Sequence, residues 1–242
     1  MWQDPLFHTI VATDVEKSGG RDDNLLLRMR ADLRDILAGT LSRQRIDIAA
    51  LTVLDDGDGF RLLLPADIAP HALVDPFLNR LGIELRAHRA AANPAHRLRL
   101  RVALHSGLLF REPSGSYTGI PLKDCARLLD APAGRRLLAD NPRADMVVLL
   151  TDAFYQDVVA GGTTVDPAWF RRIPVQVKET DRDGWAYLPG ATPPPPPEPE
   201  PAEERPATPA PSGEHHSTVT IHMPGDHNSI GTVTGGNHYG RP

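Results

Sequence analysis

Asp14 and Asp58 stand in the short stretches TDVEKSGG and DDGDGF. Apolar, β-branched residues precede each, which places one carboxylate at a strand end and the other at a hairpin tip. Two carboxylates at adjacent strand ends suit a hard divalent cation. Mg²⁺ or Mn²⁺ carrying a nucleotide takes one or two carboxylates and fills the rest of its shell with phosphate oxygens. Ser18, Gly19 and Gly20 follow Asp14 just before a helical segment, where backbone N–H groups can approach phosphates. The same residue types have a plainer use: tight turns favour Asp and Gly, and Asp14 could equally cap the helix that follows.

The elements that must position these residues are readable from hydrophobic periodicity. Phe7–Thr13 reads as a buried strand. Asn24–Leu41 carries Leu26, Met29, Leu33, Ile36 and Leu37 at helical spacing. Ala49–Leu54 and Phe60–Leu64 flank Asp55–Gly59, the pattern of a hairpin. Ala72–Ala91 reads as a helix, Leu98–Phe110 as a long strand and Leu122–Leu129 as the start of a helix. Met146–Leu150 reads as a strand, and Thr151–Val159 as a short helix with Thr151 or Asp152 as its cap. Val175–Lys178 and Trp185–Leu188 read as a last pair of strands. The order β-α-β-β-α-β-α-β predicts an α+β, ferredoxin-like core: a mainly antiparallel sheet with helices packed on one face. His105, alone on its strand, reads as a hydrogen-bonded core group, and Cys125 as a packed residue.

Taken in order, TDVEKSGG, GDGF, RVALHSG and GIPLKDCARLL resemble the motif set of class III adenylate/guanylate cyclase catalytic domains, over roughly Thr9 to Val159. The later RIPVQVKETDRDGWAYLPG is similar to the end of cyclase-like domains in bacterial regulatory and conflict proteins. The resemblance implies that Asp14 and Asp58 bind Mg²⁺ or Mn²⁺, helped by the Val15 carbonyl. It also implies that Arg127 stabilises the transition state as a nucleoside triphosphate closes to a cyclic nucleotide and pyrophosphate. The site would lie between two subunits of an antiparallel homodimer, with the metal ligands from one and the arginine from the other. The sequence departs from the family at three places. Lys123 stands where an asparagine usually orients the ribose, and would meet phosphate as a point charge or lie on the surface. Leu54 stands where many adenylate cyclases have a base-reading lysine, and Ser116 and Tyr117 do not supply its usual acidic partner. These departures keep a second reading open, that of a catalytically degenerate nucleotide-sensing or dimerising module.

Composition bounds the rest. The 242 residues carry a formal charge of −5 and no long basic block, which argues against nucleic acid as the main partner. There is one cysteine, so no internal disulfide can form. No run of about 18 apolar residues occurs, and MWQDPLFHTI lacks the marks of a secretory leader. The expectation is a cytoplasmic protein with no membrane partner. The cyclase-like domain is read as residues 1–190 and a Pro/Glu-rich disordered linker as 191–214. The tail, 215–242, is uncharged in its centre and β-prone. Its segment NSIGTVTGG resembles the core of RHIM-like amyloid signalling motifs, which implies an effector protein carrying a matching motif.

Overall fold

The computed structural model describes residues 4–162, 165–177 and 179–190. The predicted linker and tail lie outside the described residues. In chain order the elements are β1 (Leu6–Val15), α1 (Asp23–Ser42), β2 (Thr52–Asp55), β3 (Phe60–Pro65), α2 (Leu78–Ala91), β4 (Leu100–Arg111), β5 (Tyr117–Thr118), α3 (Ile120–Asp130), α4 (Pro132–Ala139), β6 (Met146–Thr151), α5 (Asp152–Val158), β7 (Arg171–Val177) and β8 (Thr180–Tyr187). The strands form one sheet in the order β2-β3-β1-β4-β6-β8-β7, with β5 paired to β4. Among the described residues only β4–β6 is parallel; the other pairings are antiparallel. The α+β class and the mainly antiparallel sheet are as the sequence predicts.

Helices cover both faces rather than one. Val11, Val15, Leu62 and Val102 pack with Met29, Leu33 and Leu37 of α1, Leu81 and Leu85 of α2 and Phe154 of α5. The alternate residues Ile10, Ala12, Leu63, Ala103 and Val147 pack with Cys125 and Leu128 of α3 and Leu137 and Leu138 of α4. Central strands with apolar side chains on both sides need cover on both sides. α3 and α4 lie mainly over β1, β4, β6 and β7, with Leu63 of β3 in the same apolar cluster.

Two local differences have simple causes. The segment before α2 does not run as a regular helix from Ala72: Asp75 is extended at φ −141°, because a residue preceding proline avoids helical backbone. β7 and β8 are longer than their apolar runs suggest, because Arg171, Arg172, Asp181 and Arg182 fill exposed positions along them. Among the described residues, no helix is long and apolar enough to cross a membrane.

Candidate functional site

The corner between β1 and the β2–β3 hairpin brings three of the candidate residues together. Thr13 Oγ1 accepts from the Phe60 N–H at 3.0 Å and donates to the Phe60 carbonyl at 3.1 Å, which fastens the hairpin to the end of β1. Gly59 lies so close to β1 that a Cβ there would fall 1.8 Å from the Thr13 carbonyl oxygen and 3.1 Å from Asp14 Cα. Asp58, the preceding residue, is therefore carried to the backbone of Asp14. The Ser18 hydroxyl donates to Asp58 Oδ2. Asp14 belongs to β1, and the helix beyond is capped by Asp22, whose carboxylate accepts from the Leu25 N–H at 2.9 Å; this removes the capping reading of Asp14. Val15 is buried in the α1-side core. Gly19 and Gly20 form a short turn with open space where side chains would be, so room for a ligand rather than backbone strain is what glycine provides there.

Arg101, which the motif reading did not single out, completes this corner. It is the cross-strand partner of Asp14, and its guanidinium forms an ion pair with Asp14 Oδ2. The contact is not a well-formed hydrogen bond: Asp14 Oδ2 and Arg101 Nε are both buried without a hydrogen-bond partner. Burial, with Arg135 nearby, pulls the Arg101 guanidinium down to about 10, so it stays cationic at neutral pH. Two carboxylates make an all-oxygen set that fits a hard cation, but Asp14 Oδ2 is already engaged by Arg101, so a cation there would have to displace that guanidinium. Among the described residues no third His, Cys, Asp or Glu joins a metal-holding group. Phosphate oxygens would have to complete the shell, as they do for nucleotide-bound Mg²⁺.

Arg127 and Lys123 lie elsewhere. Both are on α3. Lys123 is exposed, and Arg127 Nη1 meets Asp124 at 3.5 Å and its Nη2 meets Glu179 at 3.9 Å. Asp124 is also 3.9 Å from His105 Nε2 and 3.8 Å from Arg182. His105, Asp124, Arg127 and Arg182 line a cavity of about 390 Å³ between α3 and the β7–β8 hairpin. His105 is paired across the sheet with Ile10, four residues from Asp14, so the two clusters are separated by roughly 13 Å along β1. One chain does not bring Arg127 to the carboxylates. Of the remaining family positions, Leu54 is partly buried and has Arg61 as its cross-strand partner. Cys125 is fully buried and burial pushes its thiol up, in keeping with a packing role.

The architecture can be compared with known proteins at this point. The catalytic core of a rhodopsin-guanylyl cyclase with converted specificity, in complex with ATPαS, superposes with a TM-score of 0.51 at 13% identity, over 77% of this chain and 97% of that one. An adenylate/guanylate cyclase/hydrolase from Silicibacter pomeroyi gives 0.53 at 14% identity, over 77% and 98%. An adenylate cyclase from Trypanosoma brucei gives 0.51 at 18% identity, over 77% and 92%. The fold is that of a nucleotide cyclase catalytic domain. No family model matches the sequence, and no curated protein matches it. At such identities the likeness establishes the cyclase fold alone.

Within that fold His105 gives a pH-dependent expectation. Its Nδ1 is 2.8 Å from Thr151 Oγ1, and its side chain is 12% exposed. Burial lowers its pKa; Asp124 on α3 and Asp157 on α5 oppose this, and Arg182 on β8 adds to it. A folded-state value below the unfolded one means that stability is fully present above the unfolded pKa and is lost as pH falls through the folded one. Between pH 7.5 and 5.5, the wild type should therefore lose more melting temperature than His105→Gln. Parallel pH profiles for the two proteins would contradict this.

Proposed function

We propose that the chain is a metal-dependent nucleotide cyclase that acts as a homodimer and converts a nucleoside triphosphate to a cyclic nucleotide and pyrophosphate. The observation that carries this reading is the Asp14–Asp58 corner, locked by Thr13, Phe60 and Gly59 on a cyclase fold. Asp14 and Asp58, with the Val15 carbonyl, would hold Mg²⁺ or Mn²⁺, which supplies Lewis acidity toward the ribose 3′-hydroxyl and the phosphate oxygens. Ser18 orients the Asp58 carboxylate. Arg101, the cross-strand partner of Asp14, would place a cation beside that pair to meet the polyphosphate. Arg127, presented by the partner subunit, meets charge developing at the α-phosphate as the 3′-oxygen attacks and pyrophosphate leaves. Lys123, four residues earlier on the same helix, adds a point charge at the rim. The β-prone tail would recruit an effector with a matching motif.

The second reading, a nucleotide-binding module without turnover, draws on the ion pairs that already occupy Asp14 and Arg127 in the single chain. One experiment separates the two. Purified protein is incubated with each of the four NTPs and Mn²⁺, and products are resolved by mass spectrometry alongside nucleotide-binding titrations. A cyclic nucleotide that disappears with Asp14→Asn supports the enzyme. Binding without product supports the module. Neither binding nor product rejects both.

A further inference from the structure

Where the chain leaves β1 it is tied to β4 and α4 through one pair of residues, Glu16 and Arg99. The Glu16 N–H donates to the Arg99 carbonyl at 2.8 Å, and the Glu16 carboxylate accepts from Arg99 Nη1 at 2.6 Å. Both side chains are largely buried, Glu16 at 8% and Arg99 at 21% exposed. The rest of the guanidinium is engaged as well. Its Nη2 donates to the Leu138 and Asn141 carbonyls at 2.5 and 3.0 Å, and its Nε to the Ala144 carbonyl at 3.0 Å. Leu138 lies in the last turn of α4, where free carbonyls attract a cation. These three carbonyls alone fasten Arg99 to α4 and the segment that follows it. The bond to Glu16 adds something else, a tether on the exit of β1.

Backbone geometry shows what the tether aims. In a trans peptide the carbonyl and the N–H point opposite ways. With the Glu16 N–H directed at β4, the Val15 carbonyl points off β4, toward the side of the β2–β3 hairpin. The Thr13 carbonyl, two residues earlier, has the same sense and lies against Gly59. Beyond Glu16 the chain reverses at Lys17, at φ 57° and ψ 36°, and the Ser18 hydroxyl comes back to Asp58 Oδ2. Val15 and Ser18 thus stand on either side of a residue held at both its backbone and its carboxylate.

We propose that Glu16 is a positioning residue: held by Arg99, it aims the Val15 carbonyl and the Ser18 hydroxyl at the cation seat between Asp14 and Asp58. This rests on the metal-dependent reading above. The Glu16 carboxylate is taken by Arg99, so it acts without touching the cation. A tether of this kind works by its reach, and its charge is secondary.

The test separates reach from charge, using the full chain with Mn²⁺ and inorganic triphosphate followed by electron paramagnetic resonance. Melting temperature and metal-free amide exchange at residue 16 are measured on the same proteins. Glu16→Gln keeps the length and an acceptor oxygen but loses the charge, and its Mn²⁺ affinity should stay close to wild type. Glu16→Asp keeps the charge but is one methylene short. Its Mn²⁺ affinity should fall by about tenfold or more, the loss typical when a group that orients metal ligands is removed. Its residue-16 amide should also exchange faster before any metal is added. A purely structural role would lower melting temperatures and leave Mn²⁺ affinity unchanged in both variants, which overturns the proposal. Attraction of the cation by the Glu16 charge would weaken Glu16→Gln and spare Glu16→Asp, and that order, or equal losses in the two, also overturns it. Absence of Mn²⁺ binding by the wild type overturns the metal-dependent reading itself. Wild-type binding with unaltered affinity in Glu16→Asp removes only the role of Glu16.

Discussion

Asp58→Asn and Arg127→Ala proteins, each inactive alone, should regain about a quarter of wild-type cyclase activity when mixed one to one. The fraction follows from symmetry. Random exchange makes about half of the dimers mixed, and in each mixed dimer one of the two shared sites keeps both Asp58 and Arg127 while the other loses both. The structural reason is the separation of the two clusters along β1: Arg127 turns toward Asp124 and Glu179 at 3.5 and 3.9 Å, not toward Asp14. Turnover measured against mixing ratio, with heterodimers counted by native mass spectrometry, gives the answer. Full activity from either variant alone, or no recovery in confirmed heterodimers of an active wild type, would remove the shared site.

A single added methyl group should do nearly as much damage. In Gly59→Ala the new Cβ would lie 1.8 Å from the Thr13 carbonyl oxygen, a backbone atom that no rotamer change can move aside. The hairpin must lift from β1, which strains the Thr13–Phe60 hydrogen bonds and draws Asp58 away from Asp14. Overpacking of this kind typically costs about 1–3 kcal/mol, which urea unfolding would register. The larger effect should be on cation binding: Mn²⁺ affinity in the presence of nucleotide, followed by electron paramagnetic resonance, should fall by more than tenfold. Wild-type affinity and stability in Gly59→Ala would show that the hairpin does not rest on β1 as described.

How much of this was legible in the sequence differs from residue to residue. Asp14 and Asp58 could be placed because a strand end and an Asp/Gly turn are local patterns. Their meeting depends on Thr13 and Gly59, whose types look unremarkable in sequence. Arg101 was missed for a related reason. Its importance lies in register, Asp14 opposite Arg101, and register between distant strands is not a local property of either. α4 has no counterpart in the sequence reading; Pro132 opens it, in the first turn, where a missing N–H costs nothing. The engagement of Arg127 by Asp124 required the rotation of α3 about its axis, which is set by the apolar face that Leu122, Cys125 and Leu129 present to the sheet.

The strand order also bears on how the corner is assembled in time. β2 and β3 are neighbours in sequence and can pair within microseconds, as hairpins do. β1 instead sits between β3 and β4, and its outer contacts are remote: Thr9 and Ser106, 97 residues apart, share a hydrogen bond at 2.9 Å. Closing so long a loop carries an entropic penalty that only later contacts offset. The carboxylate on the hairpin should thus be in place early, and its partner on β1 should arrive with the last large step. Pulse-labelling hydrogen exchange during refolding should show protection of the β3 amides that bond to β2 before that of the β1 amides. The reverse order, or simultaneous protection, would mean that the central strand organises the sheet from the outset. On the expected course, a chain with a damaged β1 can make its hairpin and still never gain the power to hold a cation.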